Sequence, residues 1–452
     1  MVSETQLLEL CQYIVKVGLD AGATAIEALA KYENQIDTDI ELSQISSVNQ
    51  RIGTEISIRL YIDKKMGSAF TNIPEKESAK EAVDLAIAAA KVTTEDADWT
   101  DFPHPQKYPS IDGLWYKDVT EAKPGQLVYL AGELIAKGIE SEPGIIIAEG
   151  GSAAYSGISA YANSNGVAHS EQGTGAFIVE AAIARTETRS TPMVSAYDIK
   201  RNLDVDIDGT VKKVANLIRL MKIPAEGQTG KSIVILHPRA YSQLFAYTLL
   251  EGARGDNVAR GKSMIADKIG DRIASEIFSL VDDGLYPTSA ATSIADDEGV
   301  PRQRTPIIEN GVLRSFLWDT YWANKMDLKS TGNAQRSLRQ GLVQISPTTL
   351  VIEPGTREIE DIISEIDHGY YIQRVQGAHS SNPESGDFSV VGNPAILIEN
   401  GKMVGGVDGL MISGNIFELL KNVIEIAKTT IPMFSWIGPE IIVKDIDVVV
   451  KD

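Results

Sequence analysis

Residues 55–62 read EISIRLYI, a strict alternation that puts Ile56, Ile58, Leu60 and Ile62 on one side of an extended chain. Successive side chains of a strand point to opposite faces, so this pattern predicts a half-buried β-strand. A charged turn at Asp63–Lys65 and then MGSAFTN follow, which predicts a hairpin. Helical patterns flank it. In residues 3–19, Ser3 and Gln6 have capping-box spacing, and Leu7, Leu8, Cys11, Ile14, Val15 and Leu19 recur at helical intervals. Residues 77–91 are Ala-rich, with Val83, Leu85 and Ile87, and also read as a helix.

After an irregular, Asp-, Pro- and Trp-rich connection at 93–123, a helix is expected over 125–139, with Pro124 near its start. GIIIAEG, SGISAYANSNGVAHS and GAFIVEAAIAR then read as strands, with Asn165-Gly166 as a type I′ hairpin signal. A helix at 208–222 and a linker at 224–231 close the first half. In the second half, strands at 232–236, 312–318, 342–352, 370–376, 394–399 and 440–450 outnumber helices at 238–251, 357–366 and 415–427, and Asn400-Gly401 marks another hairpin. This order predicts an α+β fold of two unequal lobes. The N-terminal lobe combines an antiparallel sheet with helices, and the C-terminal lobe is β-rich with a few helices. The boundary expected near 190–230 divides the chain into domains 1–222 and 223–452.

With 452 residues, 43% of them apolar, the chain can bury a large core without covalent staples. Cys11 is the single cysteine, so neither an internal disulfide nor a cysteine metal cage can form, which fits a reducing, cytoplasmic setting. The start, MVSETQLLEL, lacks the basic and apolar regions of a signal peptide, and no apolar run approaches the roughly 18 residues of a membrane span. The net charge is −20 and the longest basic clusters are pairs such as Lys64-Lys65 and Lys212-Lys213, so neither nucleic acid nor an anionic membrane is an expected partner.

Several chemistries are excluded by spacing. The five histidines, at 104, 169, 237, 368 and 379, form no local two-histidine ligand motif. There is no G-x-S-x-G, no phosphate-binding P-loop and no C-x-x-C, and Gly173-Thr174-Gly175 precedes a strand and reads as a turn. His237 precedes Pro238 at a helix entry and reads as a cap. Tyr241, Leu244, Phe245, Thr248 and Leu249 form a packing stripe, with Glu251 off it.

The stretches RIGTEISIRLYIDKKMGSAFTN (51–72), DDEGVP (296–301), IIENGVLRSFLWDTYWANK (307–325), STGNAQR (330–336), SGDFSVVGNPAILIENGK (385–402) and ISGNIFELLKNV (412–423), in this order, resemble the TldD/PmbA family, also called modulator-of-gyrase proteins. In that family one kind of subunit carries a zinc-peptidase HExxxH motif on the helix after a strand like SIVIL, with a further Cys ligand near the C terminus. Laid onto this chain, the histidines fall at Ala246 and Glu251 and the catalytic glutamate at Tyr247, while IPMFSWIGPEIIV holds no Cys. A catalytic zinc needs about three protein ligands, and one carboxylate does not suffice. The resemblance therefore implies the other, PmbA (TldE) kind of subunit. Such a subunit has no catalytic or metal-ligating residue of its own and pairs with a TldD-type partner that carries the zinc.

The implied role is to bind and present peptides or unfolded segments. Such substrates are commonly held as an added strand. Small and polar residues suit close backbone approach, which makes Ser330, Thr331, Gly332, Asn333, Ser385, Gly386, Asp387 and Ser389 candidate groove residues. The same residues equally suit locally bonded turns. His379, Glu384 and Asp387 lie within nine positions and offer cation ligands, though on a loop the same residues suit hydrated surface, and DDEGVP reads as a charged turn. Two rival readings stand: an independently active metallopeptidase with dispersed ligands such as His237, Glu251 and His379, or a homodimeric peptide-binding module.

Overall fold

In the computed structural model, which describes residues 2–187 and 189–451, the first half is built on one antiparallel six-stranded sheet. Its strands are β1 (Ala25–Glu41), β2 (Gln44–Ile62), β3 (Lys65–Thr71), β4 (Ile145–Asn163), β5 (Ala168–Ala184) and β6 (Val194–Lys200), in the order β3-β2-β1-β4-β5-β6. The alternating segment is the inner part of β2, and Ile56, Ile58 and Leu60 are fully buried. The turn to β3 has both central residues left-handed (Asp63 φ 46°, Lys64 φ 65°), as the twist of a two-residue hairpin requires.

One face of the sheet is covered by helices. α1 (Glu4–Asp20) starts at the expected box, with the Ser3 hydroxyl accepting from Gln6 N and the Gln6 side chain accepting from Ser3 N. Leu7, Leu10, Cys11 and Ile14 of α1 meet Ile26, Ala28, Ile58 and Ala160 of the sheet. Each fully buried aliphatic side chain there contributes about 1.5–3 kcal/mol. α2 (Lys76–Val92), the single turn α3 (Lys117–Thr120), α4 (Pro124–Ser141) and α5 (Ile207–Lys222) cover the same face. The other face is polar. Along β1 it presents Glu27, Lys31 and Glu33, and it meets segments of the second half.

The strands of the second half fall into three further sheets. The largest has β7 (Gly230–Leu236) near its middle, antiparallel to Ile441–Val450 and parallel to His368–Ile372. β7 is buried on both sides: Ile235 faces the α5 layer, while Val234 and Leu236 face a core shared with a smaller six-stranded sheet. That explains why IVIL, residues 233–236, is continuously apolar. No helix among the described residues is long and apolar enough to cross a membrane.

Several expected elements are shorter or divided. Asn165-Gly166 lies in a three-residue loop, 164–166, closed by Asn163 N donating to Val167 O: Gly166 alone is left-handed (φ 89°) and donates to Asn163 O, so the turn is not type I′. Residues 342–352 form two strands in different sheets, and 312–318 yields only Val312–Leu313. The helix read over 415–427 stops at Lys421 and gives way to the strand Val423–Ile426. The helix read over 238–251 is two helices, α6 (Pro238–Ala246) and α7 (Leu249–Ala253). β1 was not anticipated, although Ala28, Ala30 and Tyr32 alternate with Glu27, Leu29 and Lys31 along it.

Candidate functional site

α6 is launched by β7 and pinned at its entry. His237 N donates to Ile372 O at 3.0 Å, and its Nδ1 accepts from Arg239 N at 3.1 Å. Burial, with help from Arg239 and Lys213, pushes the imidazole pKa down to about 3, so the ring is neutral, with the proton on Nε2. His237 is thus a helix cap with Nδ1 already used.

The stripe of α6 is core. Tyr241, Leu244, Phe245 and Leu249 are fully buried, and Trp436 packs edge-on to Tyr241 (5.7 Å between centroids) and against Phe245 (6.0 Å). The helix breaks where the family motif would continue. Thr248 sits at φ −134°, ψ −86°, and its hydroxyl turns back to Leu244 O at 2.7 Å. Glu251 on α7 is committed: Oε1 takes Arg254 Nη1 at 3.3 Å and Oε2 takes Asn257 Nδ2 at 3.0 Å. Among the described residues, no three His, Cys, Asp or Glu side chains gather as a set able to hold a metal ion. The donors at the family's zinc position do not fit zinc: Ala246 has no donor atom, Tyr247 is a phenol, and the Glu251 carboxylate is occupied.

A cavity of about 500 Å³ opens at the end of α6. Ala246 and Tyr247 line it on the helix side, Arg374 to His379 line it on the other, and Trp436 forms part of its wall. Tyr247 and His379 meet edge to face at 6.5 Å. Glu251 is not among the lining residues. Arg374, the one strong charge in the lining, escaped the sequence reading. Nothing in RVQG distinguishes it from a surface arginine, and what marks it out is that it makes no ion pair among the described residues.

The eight candidate groove residues fall in two places. In the first loop, Ser330 and Thr331 hydroxyls donate to Trp318 O (3.1 and 3.2 Å), Arg302 holds Gly332 O, and Asn333, fully buried, donates to Asp282 Oδ2 at 2.6 Å. In the second, Ser385 Oγ donates to Asp387 Oδ2 (2.6 Å), Asn415 donates to Asp387 Oδ1 (2.9 Å), and these bonds hold the Asp387 carboxyl below its usual range. Gly386 is left-handed (φ 78°) and buried, while Asp387 and Ser389 are exposed. The outer side of the Asp387–Gly392 strand is paired with Val375–Gln376 at Val391 and Gly392, and Asp387 O accepts from Asn382 N at 2.9 Å, which leaves the edge at Ser389 uncovered by a strand. His379, Glu384 and Asp387 do not assemble into a ligand set.

The three acids of DDEGVP lie in a turn, as expected, but they are not a hydrated one. Asp296 Oδ1 accepts from Glu298 N and Val300 N, Asp297 pairs with Lys31 at 2.7 Å, and Glu298 pairs with Arg59 at 2.6 Å. The turn is docked into the polar face of the N-terminal sheet. A second cavity of about 500 Å³ lies beside it, between that face and residues 290–293, with Lys31, Glu171 and Arg201 in its walls.

Two family models match the chain: the PmbA/TldA metallopeptidase C-terminal domain over residues 229–450 and the PmbA/TldA metallopeptidase domain 1 over residues 29–90. The crystal structure of TldE from Thermococcus kodakarensis aligns with a TM-score of 0.94 at 33% identity, covering 97% of this chain and 100% of that one. An uncharacterised protein of Methanocaldococcus jannaschii is 31% identical over 417 residues, 91% of this chain and 93% of its own length. A metalloprotease PmbA homolog of Haemophilus influenzae is 23% identical over 442 residues, 94% of this chain and 92% of its own. With its fold, the order of its motifs and these end-to-end likenesses in agreement, the chain belongs to the PmbA/TldD metallopeptidase family.

Proposed function

We propose that this chain is the metal-free subunit of a TldD/TldE-type zinc metallopeptidase complex of the cytoplasm. It helps to bind and present peptides or unfolded segments, while a TldD-type partner supplies the zinc and the cleavage chemistry. The observation that carries this reading is the state of α6. The helix keeps its packing stripe, yet it breaks at Thr248, and the three positions of the family's motif hold Ala246, Tyr247 and an already paired Glu251. Without a Lewis acid or a free carboxylate base, those positions cannot activate a water. Of the eight loop candidates, we retain Asp387 and Ser389 for substrate contact. Their side chains are exposed, and the strand carrying them has an incompletely covered edge that suits an added peptide strand.

The test is reconstitution. The purified chain alone should cleave no unfolded casein-like substrate and carry far less than one zinc per chain by elemental analysis, and cleavage should appear when a TldD-type subunit is added. Stoichiometric tight zinc, or activity of the isolated chain that Glu251→Ala abolishes, would overturn the proposal in favour of an independent peptidase. Peptide binding with no cleavage after mixing would replace it by a homodimeric capture module.

A further inference from the structure

We propose that the cavity at the end of α6 is a binding site for the free C-terminal carboxylate of a peptide, with Arg374 as the group that grips it. The inference deepens the proposed function and rests on its premise that this chain handles peptides.

The first observation is an uncompensated cation. Arg374 lines the cavity, half-buried, with its Nε fully enclosed and without a hydrogen-bond partner. None of the ion pairs or hydrogen bonds among the described residues uses its guanidinium. The chain carries 62 acidic against 42 basic residues, so an arginine left without an acid runs against its overall composition. Enclosing part of a guanidinium without a partner is unfavourable, and an entering anion relieves it. Its planar fork also matches a carboxylate in two parallel bonds. The backbone at this point is fixed, because Asn393 N donates to Arg374 O at 2.8 Å. The neighbouring cation, Arg239, is already used: it stacks over the Tyr197 ring at 5.3 Å and donates to Ser195 O at 2.8 Å.

The second observation concerns what surrounds the cation. Gln243 lines the same cavity, and its Oε1 is buried with no donor. It offers an acceptor for one N–H next to the bound anion. A peptide's last residue presents both groups together, a carboxylate and its own amide N–H. Trp436 and Tyr247 supply aromatic walls for the side chain between them. The cavity of about 500 Å³ admits one or two residues. Inorganic anions meet only the Arg374 half of this arrangement.

The position adds a chemical point. Ala246 and Tyr247, which the family resemblance aligns with a zinc ligand and the catalytic glutamate, line this same cavity. A guanidinium holds a carboxylate without being able to polarise water, so the site retains an end of a chain without cutting it.

The experiment measures binding to the full-length chain by calorimetry, using acetyl-Ala-Ala-Phe as free acid and as C-terminal amide, in phosphate-free buffer. The acid should bind at least tenfold more tightly than the amide. Arg374→Gln should reduce the acid to the level of the amide and leave the amide unchanged, with near-ultraviolet dichroism reporting that the fold is intact. Equal affinity of acid and amide in the unsubstituted protein overturns the proposal without reference to any variant. So does a preference that survives Arg374→Gln, or inorganic phosphate binding as tightly as the acid. If acid preference is absent while cleavage still appears on mixing with a TldD-type subunit, only the carboxylate site is lost. If acid preference is present and mixing yields no cleavage, the carboxylate site stands and the partner reading falls.

Discussion

Glu27 joins the two halves of the molecule, and its replacement has a predictable cost. The residue is completely enclosed on the polar face of β1. Its Oε1 takes Arg59 Nε at 2.6 Å and also Arg336 Nη2, and its Oε2 accepts from Tyr161 Oη at 2.6 Å. Arg59 passes its second nitrogen to Glu298 Oε1 at 2.6 Å, and Glu298 Oε2 accepts from Thr320 N. Arg59 and Tyr161 belong to the N-terminal sheet, while Glu298 and Arg336 come from the second half. Two carboxylates and two guanidiniums balance, so the group is neutral and tolerable in the interior. Glu27→Gln removes one negative charge and leaves the guanidinium of Arg336, also completely enclosed, with no ion-pair partner among the described residues. Breaking a buried pair from one side costs about 3–5 kcal/mol. Against a typical stability of about 5–15 kcal/mol that is about a fifth or more. At about 2–4 °C per kcal/mol, the midpoint should fall by roughly 10 °C. Because the pair spans the halves, the endotherm should also broaden or split. Glu27→Met with Arg336→Met removes both charges and leaves Arg59 with Glu298, so the double variant should regain about 2 kcal/mol over Glu27→Gln. Scanning calorimetry and urea titration of the set measure this. A Glu27→Gln loss below about 1 kcal/mol, or a double variant as unstable as the sum of its singles, refutes the assignment of a coupled, desolvated pair.

Glu180 on β5 makes the opposite prediction. It is completely enclosed, neither oxygen has a partner, and burial pushes its pKa up to about 7. The folded state binds the proton more tightly than the unfolded one, so this contribution is fully present below about pH 4.5 and is lost as pH rises through about 7. Glu180→Gln should therefore gain up to about 3 kcal/mol on the native protein between pH 5 and pH 8; a difference in urea midpoint independent of pH contradicts this. Leu42 occupies a left-handed turn position (φ 46°) with its side chain 71% exposed. Leu42→Asn should stabilise by about 0.5–1 kcal/mol, seen as a rise of a few degrees in melting temperature; an unchanged or lower value removes the strain argument.

The turns show where sequence reading succeeds and where it stops. The β2–β3 hairpin was legible because alternation and a charged two-residue turn are local properties, and Asp tolerates the left-handed region. The β1–β2 turn was not, because Leu42-Ser43 carries no turn chemistry of its own. It is held from outside: Leu42 N and Ser43 N donate to Ala148 O and Ile147 O, and Ile147 N donates to the Ser43 hydroxyl. Asn165-Gly166 marked a turn correctly but not its type, since two- and three-residue hairpins share that dipeptide. DDEGVP is legible only as a charged turn, because the partners of its acids, Lys31, Arg59 and the Arg336 main chain, are distant in sequence. Arg374 was invisible for the converse reason. It makes no ion pair among the described residues, and no window of sequence records that.

The same division between local pattern and distant partner is visible on α6. On α6, Tyr241, Leu244 and Phe245 face Trp436 and Phe278, and that face fixes where the helix lies. Ala246 and Tyr247 point toward the cavity and carry little of that packing, Tyr247 being about half exposed. Packing and chemistry therefore occupy different sides of one helix. A substitution at Ala246 or Tyr247 therefore leaves the core contacts of Tyr241, Leu244 and Phe245 in place. A cavity beside a helix end takes its chemistry from the charged group that lines it, and in the cavity at the end of α6 that group is the Arg374 guanidinium.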